Sequence, residues 1–141
     1  MGQNQISDIL KRYKVIAIVG LSKELGKDSH RVAAYLKLQN YRIIPVNPFA
    51  DEVLGEKSYK SLFDIPDEIQ KTVDIVDIFR RSEAVPPIMQ QVIEMKLRVG
   101  RPFVVWMQLG IVNEEAAKAA RRAGLVVVMD RCLMVEHQYL A

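Results

Sequence analysis

The feature that most constrains this chain is its alternation of short apolar runs with helical stretches. Runs at 15–19 (VIAIV), 42–46 (RIIPV), 73–79 (VDIVDIF), 103–107 (FVVWM) and 125–129 (LVVVM) are rich in Val and Ile. β-Branched side chains fit a pleated surface, and a run with no polar side reads as a strand covered on both faces. Helical spacing lies between the runs. Ile6, Ile9 and Leu10 precede the first; Val32, Ala33 and Leu36 follow it; Val85, Ile88, Val92 and Ile93 follow the third. This alternation predicts an α/β fold, a doubly wound, Rossmann-like parallel sheet with right-handed crossovers. At 141 residues, half of them apolar, the chain is expected to form a single domain, 1–141, with a sizeable core.

Local signals place the element ends. Ser29 is a candidate N-cap for the second helix, and Asn40 tolerates the left-handed conformation that stops it. Ser82 can cap a helix that Gly100 closes, and Asn113 with Glu114 and Glu115 opens another that ends at Arg121, Arg122 and Gly124. Residues 50–55 read as a turn, 57–59 as a short edge strand, 61–66 as an irregular crossover and 131–140 as a terminal helix. The net charge of +3 is spread without long runs, which favours anionic ligands weakly and provides no nucleic-acid tail. No stretch approaches the roughly 20 apolar residues of a membrane span, and the N-terminus does not resemble a signal peptide. One cysteine, Cys132, allows no internal disulfide. A cytoplasmic protein that engages neither nucleic acid nor membrane is expected.

In a doubly wound sheet, ligands bind beyond the carboxyl ends of the strands, where the strand order reverses. Four loops qualify, at 20–29, 47–49, 79–82 and 108–112. In the first, Gly20 permits a tight turn, and Ser22, Lys23, Gly26, Lys27 and Ser29 add small, hydroxyl and cationic groups before a helix beginning near His30. Unpaired N–H groups and a helix dipole aimed at one place make an anion cradle. A dinucleotide fingerprint would need glycine at positions 20, 22 and 25; the chain has Gly20, Ser22 and Leu25. The second strand ends in Asn47, not in the acidic residue that holds an unmodified ribose. A neutral amide there, with Lys23, Lys27, Arg80 and Arg81 nearby in the predicted crevice, favours a ribose that carries its own phosphate. Coenzyme A, with a 3′-phosphate, and NADP, with a 2′-phosphate, both meet that description.

The segments VGLSK (19–23), YRIIPVNP (41–48), VLGEKSYKSLFDIP (53–66), DIVDIFRRSEAVP (74–86) and VVWMQLGIVNEEAAKAARRAGLVVVMDRCLMVEH (104–137) carry a resemblance over nearly the whole chain. The sequence resembles the small stand-alone CoA-binding domain family, related to the amino-terminal domain of the succinyl-CoA synthetase α subunit. The resemblance implies coenzyme A or an acyl-CoA as ligand. It implies that Gly20, Leu21 and Ser22 form the pyrophosphate loop with Lys23 beside it, and that Asn47 and Pro48 form the crest near the adenosine. Phe79 and Arg80 would be the rim that packs on adenine or pantetheine, and Trp106, Gln108 and Gly110 would lie near the pantetheine arm. Phe49 departs from the family pattern, in which many members carry Lys. The departure implies a weaker grip on the 3′-phosphate, or a shift of that load to Lys23 or Arg80.

No catalytic constellation is legible. Asp74 and Asp77 are three apart on a strand and so face opposite sides; Asp77 is expected to tie down a neighbouring loop. Cys132 and His137 lie five apart on a helix, about 500° around its axis, which makes no ready dyad. Cys132 reads as a buried structural thiol, His30 as a surface residue and the ring of Trp106 as core. No histidine has metal-ligand company at a suitable spacing. The sequence therefore points to a binding protein with no catalytic or metal-ligating residues of its own, and leaves a partner enzyme or a homo-oligomer open. The rival readings are a small NAD(P)-dependent enzyme or redox sensor, and an adaptor that keeps the fold without the ligand.

Overall fold

All five apolar runs enter one parallel sheet in the computed structural model, which describes residues 1–140. In chain order the elements are α1 (Gln3–Arg12), β1 (Val15–Val19), α2 (Asp28–Leu38), β2 (Arg42–Val46), the two-residue strands β3 (Glu52–Val53) and β4 (Glu56–Lys57), and a 3₁₀ turn at Leu62–Asp64. There follow α3 (Asp67–Gln70), β5 (Ile75–Ile78), a 3₁₀ turn at Ser82–Ala84 that runs into α4 (Val85–Val99), β6 (Val104–Met107), α5 (Glu114–Arg122), β7 (Val126–Val128) and α6 (Leu133–Gln138). The large sheet has the order β2-β1-β5-β6-β7, parallel throughout. From β1 the chain moves outward to β2 and returns on the other side of β1 as β5. The order therefore reverses between β1 and β5, whose carboxyl ends are Val19 and Ile78.

Because successive strand residues point to opposite faces, the sheet divides its apolar side chains between two layers. On one face Ala17, Val19, Val76, Ile78, Val105 and Met107 pack with Met89, Val92 and Met95 of α4 and with Ala117 and Ala120 of α5. On the other Ile16, Ile18, Ile75, Val104 and Trp106 pack against Ile6 and Leu10 of α1, Val32 and Leu36 of α2 and Leu133 of α6. This is the doubly wound arrangement, and it explains why the central runs lack a polar side. No helix among the described residues is long and apolar enough to cross a membrane.

The end signals act largely as their chemistry dictates. Asn113 Oδ1 accepts the Ala116 amide at 3.0 Å and caps α5. Gly100 (φ 78°) and Asn40 (φ 70°) take the left-handed conformations that close α4 and follow α2. Four local expectations change. Ser82 does not cap α4: it lies in the preceding 3₁₀ turn, where its Oγ accepts the Val112 amide at 2.9 Å, and the N-cap of α4 is Ala84, with no side-chain cap. The N-cap of α2 is Lys27, with no side-chain cap, and Ser29 lies within the helix. The β3–β4 hairpin occupies part of the span read as a turn, and Tyr59 contributes only an isolated bridge to Val46. The terminal helix is shorter, beginning at Leu133, because the backbone of Arg131 is used elsewhere: its carbonyl accepts the indole N–H of Trp106 at 2.6 Å.

Candidate functional site

At the reversal point the β1–α2 loop is held in shape from both sides. The amide of Ser22 donates to Ser29 Oγ at 3.0 Å, and Ser22 Oγ accepts the amide of Glu24 at 3.0 Å. His30, buried in the first turn of α2, donates from Nδ1 to the Ser22 carbonyl at 2.9 Å. From β2, Asn47 Nδ2 donates to the Leu21 carbonyl at 2.9 Å while Asn47 Oδ1 accepts the Phe49 amide at 2.8 Å. Leu21 itself is fully buried and anchors the loop in the core. The expected residues 20–23 and Asn47 are thus brought together, with the Asn47 amide holding the loop. Pro48 and Lys23 are exposed beside it, and Phe49 is 82% exposed.

The β5 end closes on the same loop. Gly20 has φ 90°, and a Cβ at that position would drive into the Phe79 carbonyl oxygen and stand 3.3 Å from Arg80 Nε. Only glycine permits that approach. The guanidinium of Arg80 consequently lies over the turn. Arg31 and Arg81 are neutralised by Asp28 and Glu83, whereas Arg80 has no carboxylate partner among the described residues. The N-terminus of the 11-residue α2, without a side-chain cap, adds the positive end of its dipole to the same corner.

Between the β5 and β6 ends, α2 and α6, a cavity of about 320 Å³ is lined by Phe79, Gln108 and Ile111 from the strand ends and by Val32, Met134 and Val135 from the helices. Gln108 is buried, and its Oε1 accepts the amide of Leu133 at 3.1 Å, which fixes the start of α6 and leaves the NH₂ group as its free donor. Gly110 is exposed and ties its loop to the β7 end by donating to Asp130 Oδ1 at 2.7 Å. Trp106 is core in its entirety. A larger hollow of about 480 Å³ follows the β7 edge between Met1, Gln5, Arg121 and Arg131. It holds none of the loops at the strand-order reversal, so the smaller cavity is the candidate site.

Three expectations about single residues change, those for Asp77, Cys132 and His30. Asp77 is fully buried and neither carboxyl oxygen has a hydrogen-bond partner, so it ties down no loop; burial holds its carboxyl well above the usual carboxylate range. Cys132 is half-buried and lines the cavity instead of lying in the core. His137 is engaged by the Tyr35 hydroxyl at 2.7 Å, with burial and then Lys14 lowering its pKa. His30 is buried, and this role was missed; its spacing with Ala33 and Leu36 along the apolar stripe of α2 was the available signal. Asp74 accepts the amides of Lys14 and Val15 and pairs with Arg101 at 3.0 Å.

Residues 14–138 match a family described as the CoA binding domain. The uncharacterized protein YneT of Bacillus subtilis is 42% identical over 133 residues, 94% of this chain and 92% of that protein. An ADP-forming acetate–CoA ligase of Methanocaldococcus jannaschii is 43% identical over 63 residues, which are 45% of this chain but only 9% of the ligase. Among solved structures, a Thermus thermophilus protein superposes with a TM-score of 0.88 at 38% identity over the full length of both chains. A hypothetical protein of Pyrococcus horikoshii gives 0.88 at 39% identity, over 99% of this chain and 92% of that one.

Proposed function

We propose, from the premise that this chain belongs to the CoA-binding domain family, that it holds coenzyme A or an acyl-CoA across the β1/β5 reversal and performs no bond chemistry on it. The reading gives Gly20, Leu21 and Ser22 the pyrophosphate, with Lys23 and Arg80 as the cations, Asn47 and Pro48 the adenosine side, and Phe79, Gln108 and Gly110 the pantetheine arm. The observation that carries it is Arg80, a guanidinium held over a glycine turn with no carboxylate partner among the described residues. An unpaired cation over a glycine turn at a strand-order reversal, beside a helix N-terminus with no side-chain cap, suits an anion. The apolar cavity beginning at Phe79 then suits the less polar end of the same ligand.

Calorimetry with coenzyme A, dephospho-CoA, NAD and NADP tests this. Coenzyme A is expected to bind and to raise the melting temperature by mass action; binding of NADP in its place would defeat the proposal. Arg80→Ala is expected to weaken coenzyme A roughly tenfold or more, the scale of a hydrogen bond to a charged group. Ser22→Glu, which sets a carboxylate against the pyrophosphate, should abolish binding, with Ser22→Ala as the control for the lost bond to the Glu24 amide. Unchanged affinity in both Arg80→Ala and Ser22→Glu would remove this loop from the site. With Phe49 at the crest, preference for coenzyme A over dephospho-CoA is expected to be small, and a large preference would assign the 3′-phosphate to Lys23 or Arg80.

A further inference from the structure

We infer that the cavity beyond Phe79 receives an apolar acyl chain, so that the ligand this protein selects is an acyl-CoA thioester in preference to free coenzyme A. The inference rests on the reading above and goes one step further, to the class of the acyl group. Its basis is the character of the wall. Val32, Ile111, Met134 and Val135 line the space together with Phe79, and the polar members of the lining are largely spent. Arg31 is held by Asp28 at 2.6 Å, and Gln108 Oε1 is occupied by the Leu133 amide. What Gln108 has left is its NH₂ group, a donor for a carbonyl oxygen, whether that of a thioester or an amide of the pantetheine arm, so the preference for an acyl chain rests on the apolar wall.

The apolar surface also continues outward. Leu109 is 69% exposed and Val135 is 39% exposed, both on the lining of the cavity. A ligand ending at the thiol leaves these side chains in water, whereas a chain that extends past the thioester covers them and removes its own methylenes from water at the same time. Met134, on the same wall, is a flexible and polarisable surface that adapts to chains of different shape. A volume of about 320 Å³ lies at the small end for ligand cavities, which points to short and medium chains. Each methylene that becomes buried should tighten binding about fourfold, or about 0.8 kcal/mol.

The test is a calorimetric series of coenzyme A, acetyl-CoA, butyryl-CoA and hexanoyl-CoA against the whole protein. Affinity is expected to climb along the series, with hexanoyl-CoA tighter than coenzyme A by tenfold or more. Equal affinity for all four would overturn the acyl pocket and leave coenzyme A binding in place; no binding by any member would overturn both readings. The gradient must also map to this cavity. Val135→Trp, which fills it, and Leu109→Glu, which sets a charge at an exposed position on its lining, should each reduce the ratio of hexanoyl-CoA to coenzyme A affinity towards one. A ratio unchanged in both variants would place the chain elsewhere and overturn the assignment.

Discussion

Gly20→Ala is expected to destabilise the protein by about 3 kcal/mol or more, adding the cost of a left-handed backbone for a residue with a Cβ to that of forcing an atom into a packed site. The backbone cost arises from φ 90°, and the packing cost from the Phe79 carbonyl, which occupies the space the new methyl needs. That carbonyl has little room to retreat, because the amide of Phe79 is bonded to the Val19 carbonyl at 2.8 Å. For a chain of this length the loss corresponds to a fall in melting temperature of about 6–12 °C. Gly100→Ala is the control. It has φ 78°, but a Cβ there meets nothing within 4 Å, so it should cost only the backbone part, about 1–2 kcal/mol. Equal losses in the two variants would mean that the close approach of β1 and β5 does not constrain the turn. The same substitution should also lower affinity for coenzyme A, since the turn and Arg80 must separate to admit the methyl.

Asp77→Asn is expected to stabilise the protein at neutral pH, with a gain that depends on pH in a defined direction. Burial raises the folded-state pKa of Asp77 above its unfolded value of about 3.9. The folded state therefore holds a proton that the unfolded state releases. The stability contributed by the protonated carboxyl is complete below about pH 4 and is lost as pH rises through the folded pKa. The amide does not titrate. The difference in melting temperature between variant and parent should thus be small near pH 4 and widen as pH rises, by about 2–4 °C for each kcal/mol recovered. A difference that stays constant with pH would show that Asp77 is already ionised in the folded protein, against a partner. Asp77→Leu should follow the same trend, since an apolar side chain between Ile18 and Trp106 leaves no polar atom unpaired.

Much of the candidate site is legible because its parts lie at strand ends. The run VIAIV ends at Gly20, RIIPV at Asn47 and VDIVDIF at Arg80, and a parallel sheet sends all three ends to one side. What could not be read was how the polar groups there are used. Asn47 reads from the sequence as a ligand contact, but in the structure its amide also fastens the loop, through a bond to Leu21 that spans 26 residues. His30 looked like a surface side chain because nothing near it in sequence announces the Ser22 carbonyl. The general rule that buried polar groups are hydrogen-bonded predicts a partner for the Asp77 carboxyl, and Asp77 is the exception.

The residues by themselves determined the class of fold, because β-branched runs without a polar side require cover on both faces and the helical stretches between them supply it. They determined several helix ends too, since a cap such as Asn113 or a stop such as Gly100 acts over three or four residues. The tertiary structure alone decided which strands adjoin, and so that Gly20 meets Phe79 and that Arg80 stands over the turn without a counter-charge among the described residues. It also decided that Asp77 is sealed between Ile18 and Trp106. These facts depend on neighbours tens of residues away, whose distances are set by sheet order and register, and no local propensity encodes either.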